Sequence, residues 1–246
     1  MAQKNPIRTT GVIDCACVIH GSAYKWEYVE NLYNMCQRAF NHSVRFHVYT
    51  EPDRPVPGHM IKHELEHWGV EGPKKSWWYK LQLFNPAHHQ DNLLYFDLDV
   101  IILRDMEWIR QCNPELLWAI RDFRYLQRPN EHLLNSSVMW WNVSAFADIW
   151  YGLQKENLQN LFNRWPGDQD YITHTIPLSR RRFFEDQLFE SYRWQVLDGG
   201  YNFQRRCHRE PGAGARVAGD TAVVVFHGQP KPHQLPASEL RTIWSG

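Results

Sequence analysis

Two aspartates lie inside an otherwise apolar run, and this feature constrains the fold more than any other. The run covers 93–103 with the sequence LLYFDLDVIIL, and Asp97 and Asp99 are its charged members. An unpaired carboxylate is costly to bury, so two of them require a cation nearby. Their i, i+2 spacing places both side chains on one face of an extended chain. The run therefore predicts a buried strand with two carboxylates at one cation site.

The chemistry of this pair favours a hard divalent cation. Carboxylate oxygens are the ligands that Mg²⁺ and Mn²⁺ prefer, and these ions in turn bridge phosphate oxygens. The alternative is a pair of aspartates that caps a turn or forms an ion pair with Arg104. The apolar surroundings favour the metal interpretation.

Apolar periodicity predicts an alternation of strands and helices. Strand patterns cover 12–19, 44–49, 59–62, 93–103, 116–120, 136–141, 192–196 and 221–226. Helix patterns cover 24–40, 76–84 and 144–162, with further starts near 113 and 168. Such alternation predicts an α/β fold, with a mainly parallel sheet flanked by helices. Ligands of these sheets bind outside the carboxyl ends of the strands.

Composition excludes several classes of protein. Twenty-seven basic residues balance 27 acidic ones, which removes the electrostatic reason to expect a general nucleic-acid or membrane-surface binder. Five cysteines without regular spacing argue against a disulfide framework or a structural zinc site. No run resembles a signal peptide or is long enough to span a bilayer. We therefore expect a cytoplasmic protein with reduced thiols.

The segment YFDLDVIIL resembles the Asp-x-Asp segment of GT-A-fold glycosyltransferases, especially family 8, whose members retain the anomeric configuration of the sugar. Several other segments match that family in type and order over most of the chain. The resemblance implies one GT-A domain over 1–246, with Rossmann-like nucleotide-sugar binding. Residues 1–105 would form the nucleotide-binding part and 106–246 the acceptor-binding and catalytic part.

The resemblance also implies a metal site and a diphosphate site. Asp97, Asp99 and a late histidine, His227, would bind Mn²⁺ or Mg²⁺. Lys80 stands where the family has a basic residue that contacts the donor, although it could also lie on a solvated helix face. Lys231 would contact the diphosphate, and it follows His227 at a distance two residues shorter than in the family pattern.

A reaction centre is implied by the segment Gly167-Asp168-Gln169-Asp170, which matches an Asp-Gln-Asp signature. Asp168 would bind sugar hydroxyls and Gln169 would lie near the reacting carbon, with Asp170 beside them. Acids at a helix N-terminus also stabilise its dipole, which is the structural alternative. Asn135 resembles a donor-sugar contact, although Ser137 replaces the glycine that follows it in the family.

Four further residues complete the expected site. His20 and Tyr24 follow the first strand, where the resemblance places the nucleoside of the donor. Asp122 and Asn202 stand at positions expected to contact the acceptor. Each could instead have a structural role.

The expected activity is transfer of a hexosyl group from a nucleotide-diphosphate sugar, with UDP as the expected nucleotide, to an acceptor hydroxyl with retention. The acceptor could be a glycan, a glycolipid or a protein. A sugar nucleotidyltransferase is one alternative, but the loop after the first strand has one glycine and no cation before Lys25. A non-catalytic carbohydrate-binding relative with the same fold is the other.

Overall fold

The computed structural model describes residues 11–70, 76–197, 201–202, 207–208 and 216–246. Twelve strands are present in these ranges: β1 (Val12–Val18), β2 (Ser43–Thr50), β3 (Ile61–Glu64), β4 (Asn92–Phe96), β5 (Val100–Ile102), β6 (Leu117–Arg121), β7 (Leu134–Asn142), β8 (Arg181–Phe183), β9 (Phe189–Ser191), β10 (Tyr201–Asn202), β11 (Cys207–His208) and β12 (Val223–Val225). They form sheets of seven, three and two strands.

The seven-stranded sheet has the order β3-β2-β1-β4-β7-β6-β8. Strands β3, β2, β1 and β4 run parallel, β7 is antiparallel to both of its neighbours, and β8 is parallel to β6. The predicted mainly parallel sheet is therefore confirmed. The chain passes outward from β1 to β3 and then returns to β4 on the other side of β1. This reversal creates a crevice at the carboxyl ends of β1 and β4, where such sheets bind ligands.

Five α-helices in the described part of the chain flank the sheets, namely α1 (Glu27–Ala39), α2 (Ala147–Leu153), α3 (Leu158–Arg164), α4 (Asp168–Thr175) and α5 (Glu239–Ser245). Helix α1 forms because its apolar residues recur at helical spacing, and the same residues are buried. The helix predicted at 76–84 is present as a 3₁₀ helix, Ser76–Phe84. It ends before Pro86, which has no backbone N–H with which to continue it.

Three local predictions outside the aspartate segment are wrong. The single helix predicted over 144–162 is broken, because the Asn157 side chain accepts a hydrogen bond from the Asn160 amide and starts α3. The strand predicted over 192–196 is a short π-helix. Its N-terminus is capped by the Ser191 side chain, which accepts a hydrogen bond from the Trp194 amide. The short helix expected near 113 lies earlier, as the 3₁₀ helix Glu107–Gln111.

The predicted strand 93–103 is two strands. Strand β4 stays in the seven-stranded sheet, whereas β5 pairs with β12 in the three-stranded sheet. Asp97, Leu98 and Asp99 form the turn between them. The chain therefore changes sheets at the two aspartates, and this places both carboxylates at a junction rather than within one strand.

Two hydrophobic cores cover the two faces of the large sheet. Cys15 and Cys17 of β1 lie in one core with Leu94 of β4, whereas Ala16 and Tyr95 lie in the other. This alternation follows from the two-residue period of a strand. The four described cysteines are free, and Cys15, Cys17 and Cys36 are fully buried. No helix in the described part of the chain has the length and apolarity to cross a bilayer.

A polar cluster is buried on the Ala16 face of the sheet. Asp14 accepts hydrogen bonds from Arg45 at 2.6 Å and from His47 at 2.9 Å, and the other His47 nitrogen lies 2.8 Å from His63 Nε2. Although burial opposes its ionisation, His47 and Arg45 lower the pKa of Asp14 to about 2. Burial, reinforced by neighbouring histidines, lowers the pKa of His63 to about 3. His63 is therefore neutral in the folded protein near neutral pH.

Replacement of His63 by glutamine is expected to make the fold less sensitive to acid. The unfolded chain protonates His63 below a pH of about 6.5, whereas the folded protein does not. The pKa is lowered on folding, so this group removes stability as the pH falls from about 7 to about 5. After a discount for its partial exposure, the effect is about 1 kcal/mol. Urea unfolding at the two pH values measures it.

The matched control is His67→Gln, since His67 is exposed. This variant should lose as much stability on acidification as the wild-type protein. Equal acid sensitivity of the two variants would contradict the role assigned to His63.

Candidate active site

The turn that carries the two aspartates is held by both sheets. The Asp97 amide donates to the Ser137 carbonyl at 2.8 Å, which extends the pairing of β4 with β7. The Phe226 amide donates to the Asp99 carbonyl at 3.0 Å, next to the pairing of β12 with β5. These two hydrogen bonds therefore fix the backbone of both aspartates, at the carboxyl end of β4.

Asp97 belongs to a buried network centred on Lys80. The Lys80 ammonium lies 2.8 Å from Asp97 Oδ1 and 3.5 Å from Asp168 Oδ2. It also donates to the Ser136 hydroxyl at 3.1 Å, and that hydroxyl donates to Asp168 at 2.7 Å. The Tyr95 hydroxyl donates to Asp97 at 2.6 Å. One ammonium thus joins the 3₁₀ helix Ser76–Phe84 to the turn, β7 and α4.

The charges of this network are mutually dependent. Burial opposes the ionisation of Asp97, but Lys80 holds the pKa of that carboxyl below its usual range. Burial likewise opposes the charge on Lys80, yet Asp168 and Asp97 raise its pKa. For Asp168 burial prevails and raises the pKa, because Lys80 and Ser136 offset it only in part. Lys80 is therefore a permanent cation that serves two carboxylates.

Asp99 has a separate cation. The Lys231 ammonium donates to its carboxylate and also to the Tyr24 hydroxyl at 3.0 Å. The Tyr24 hydroxyl in turn donates to Asp99 at 2.8 Å. Burial raises the pKa of Asp99, and Asp97 adds to this effect while Lys231 counteracts it. The structure therefore brings Tyr24 and Lys231 together at the Asp99 carboxylate.

The two networks together hold an excess of negative charge. Asp97, Asp99 and Asp168 supply three carboxylates, whereas Lys80 and Lys231 supply two ammonium groups, which leaves one carboxylate uncompensated. A buried site of this kind attracts a further cation, and it repels an anion that arrives without one.

The residues expected at the reaction centre lie at the start of α4. Asp168 is part of the Lys80 network, and the Gln169 amide donates to the Asp122 carboxylate. Asp170 lies one residue further along α4, partly exposed. The Asn135 side chain accepts from the Ser137 amide at 2.9 Å. The structure thus joins Asp168 to Asp97 through Lys80, and it links Gln169 to Asp122.

His227, the predicted third metal ligand, is held by side chains other than the two aspartates. Its Nε2 lies 2.6 Å from the Ser191 hydroxyl, and its ring stacks on Phe123 with Trp194 at its edge. Burial lowers the pKa of His227 to about 4. Among the described residues, no three His, Cys, Asp or Glu side chains form a group that could hold a metal ion. The predicted trio of Asp97, Asp99 and His227 is therefore not assembled in this structure.

The remaining two expected residues are His20 and Asn202. His20 stacks on Tyr79 with ring centroids 3.8 Å apart, at the carboxyl end of β1. Asn202 lies in β10, but its side chain is outside the described part of the structure. Their predicted contacts with nucleoside and acceptor stay predictions.

Sequence reasoning missed two polar residues of the site. Tyr95 stands two residues before Asp97, and the same i, i+2 rule that paired the aspartates could have found it. Ser136 follows Asn135 directly, but nothing in the sequence connects it with Lys80 or Asp168. Its buried hydroxyl acquires that role only because β7, α4 and the 3₁₀ helix meet there.

The fold is similar to that of solved GT-A glycosyltransferases. The galactosyltransferase LgtC, in complex with donor and acceptor sugar analogs, is 14% identical with a TM-score of 0.62 and 95% of each chain covered. An active-site mutant of LgtC is 15% identical with a TM-score of 0.63, and the match covers 94% of each chain. GlyE of Streptococcus pneumoniae TIGR4 is 15% identical with a TM-score of 0.63. The match covers 94% of this chain and 60% of the GlyE chain. No family model and no curated protein sequence matches the chain. The structural similarity at these low sequence identities establishes the fold.

Replacement of Lys80 by methionine should destabilise the protein by about 3 kcal/mol at neutral pH, because two largely buried carboxylates lose their cation. Urea unfolding measures the change. The matched control is Arg128→Met, which removes an exposed ion pair with Glu131 and should cost less than about 1 kcal/mol. Equal losses in the two variants would show that the Lys80 network contributes no more than a surface pair.

Proposed function

We propose that the protein transfers a sugar from a nucleotide-diphosphate donor to an acceptor hydroxyl. The observation that carries this proposal is the buried cluster of three carboxylates and two ammonium groups at the crevice between β1 and β4. It lies in a fold shared with glycosyltransferases, one of which was solved with donor and acceptor sugar analogs. Such a cluster suits a ligand that combines a diphosphate with a cation.

A divalent ion fits the aspartate pair without a third protein ligand. Mg²⁺ is commonly bound by one or two carboxylates, while substrate phosphates and water complete its coordination. Asp97 and Asp99 offer such a pair, and the uncompensated negative charge of the cluster favours a cation there. Mn²⁺ or Mg²⁺ held by them would act as a Lewis acid on the diphosphate. We therefore propose a two-carboxylate site that does not include His227, whose ring is held by Ser191 and Phe123.

The lysines would neutralise the leaving diphosphate. As the glycosidic bond lengthens, negative charge develops on the phosphate oxygens, and preorganised cations stabilise it most when they are already in place. Lys80 is held by Asp97, Asp168 and Ser136 before any substrate arrives. Lys231 is held at Asp99 and would contact the diphosphate from the other side. Lys80 therefore requires little reorganisation of the protein, whereas Lys231 would exchange Asp99 for the diphosphate.

The start of α4 would position the sugar. Asp168 would accept hydrogen bonds from sugar hydroxyls, because its carboxylate is fixed by Ser136 and by the charge of Lys80. Gln169 would lie near the reacting carbon, and its hydrogen bond to Asp122 would link it to a residue expected to contact the acceptor. Asn135 would contact the donor sugar. Retention and a hexosyl donor carried by UDP follow from the resemblance to family 8 and belong to this proposal.

Asp99→Asn is expected to lower sugar transfer, or donor hydrolysis in the absence of an acceptor, by at least ~100-fold, since it removes a charge that holds the cation at the diphosphate. UDP release from a panel of UDP-sugars with Mn²⁺ measures it. Asparagine preserves the shape of the side chain, so circular dichroism should show an intact fold. The control is Asp148→Asn, at an exposed ion pair with Arg180. Undiminished turnover of Asp99→Asn with every donor that the wild type accepts would disprove the metal proposal.

UDP and Mn²⁺ together should raise the melting temperature by more than the sum of their separate effects. Each ligand alone meets a charge mismatch, because UDP adds anions to a negative cluster and Mn²⁺ lacks the phosphates that complete its coordination. Thermal unfolding with UDP, with Mn²⁺ and with both measures this. Additive shifts would argue against a shared site. Stabilisation without donor hydrolysis or transfer would instead favour a non-catalytic relative.

A further inference from the structure

The two lysines of the cluster are held unequally. The Lys80 ammonium contacts two carboxylates and a serine hydroxyl, and its side chain is 10% exposed. The Lys231 ammonium contacts one carboxylate, the Tyr24 hydroxyl and, at 3.5 Å, the Phe226 carbonyl, and its side chain is 20% exposed. Lys231 therefore has fewer charged partners and more room to move. Of the two ammonium groups, it is the one that a competing cation can displace.

The backbone that carries Lys231 is anchored, so displacement would involve the side chain alone. The Lys231 amide donates to the Gln234 side chain at 2.7 Å, and Pro232 begins the short 3₁₀ helix Pro232–Gln234. Gly228 adopts a φ of +79°, which favours glycine, and fixes the preceding turn. Lysine has a long flexible stem, so its ammonium can change partners while its backbone stays in place.

Lys231 and a divalent ion would compete for the same oxygen. The Lys231 ammonium donates to Asp99 Oδ2, and the Tyr24 hydroxyl donates to that oxygen as well. A metal ion cannot bind there while an ammonium remains at hydrogen-bond distance, because like charges repel and the position is already filled. Asp97 is also held by a cation, since its Oδ1 receives both Lys80 and Tyr95.

We propose that Lys231 is a displaceable counter-ion that occupies the metal position at Asp99 until a divalent ion enters together with the diphosphate. The inference rests on the proposed function, which supplies both the ion and the diphosphate. It adds that Lys231 suppresses metal binding in the donor-free protein. Metal and nucleotide are then coupled, because the diphosphate gives the displaced ammonium a new partner and each ligand must strengthen the other equally.

The test is a Mn²⁺ titration of the whole chain without nucleotide, followed by the EPR signal of free Mn²⁺. Lys231→Met should bind Mn²⁺ at least ~10-fold more tightly than the wild type, since a nearby charge changes equilibria at a carboxylate by that factor or more. Lys231→Arg keeps the charge and should bind as weakly as the wild type. Lys25→Met, at an exposed lysine next to Tyr24 in the sequence, controls for general loss of positive charge and should change little.

A second titration in the presence of UDP separates this role from a purely structural one. UDP should increase the Mn²⁺ affinity of the wild type by a larger factor than that of Lys231→Met, which has no ammonium to displace. If Lys231→Met misfolds, Lys231→Gln provides a second neutral variant. Mn²⁺ binding by both neutral variants that is no tighter than in the wild type, or not measurable, would overturn the inference.

Failure of the proposed function would appear in the sugar-transfer assay rather than in the Mn²⁺ titration. It would leave the wild type without transfer or hydrolysis of any UDP-sugar, whereas the nucleotide-free titration would still report whether Lys231 competes with Mn²⁺. The two outcomes are therefore distinguishable.

Discussion

The buried ammonium of Lys80 is the interaction on which the arrangement of the site depends. It joins four elements that are distant in sequence, since its partners lie at the turn after β4, on β7 and at the start of α4. A buried carboxylate without a partner would protonate or destabilise the fold, so Asp97 and Asp168 tolerate burial only while this cation is present. Stability and the electrostatics of the crevice thus have the same physical origin.

The change of sheet at Asp97–Asp99 gives the site its geometry. One hydrogen bond ties the turn to β7, and another ties it to the residue after β12. Because the two sheets hold opposite ends of a three-residue turn, neither carboxylate can move far from the crevice. The carboxylates nevertheless differ in their surroundings, as Asp97 shares a firmly bound lysine and Asp99 has a more accessible one. This asymmetry allows one half of the site to be permanent and the other to exchange its cation.

Much of the fold followed from local pattern. The strands before β8, helix α1 and the start of α4 lie close to their predicted positions, because apolar periodicity reflects burial on one face. The errors arose where side chains compete with the backbone for hydrogen bonds. Asn157 divides a helix, and Ser191 caps a π-helix where a strand was expected. Periodicity carries no signal for such caps.

The sequence by itself determined that two carboxylates would be buried together and that cations must accompany them, because the apolar run and the i, i+2 spacing are local properties. It also singled out Lys80, Asp168 and Lys231 through a resemblance in motif order. Only the tertiary structure decided which cation meets which carboxylate. It paired Lys231 with Asp99, placed Ser136 between Lys80 and Asp168, and set His227 against Ser191. These contacts depend on how separate elements pack, and no short segment of sequence records the distance between them.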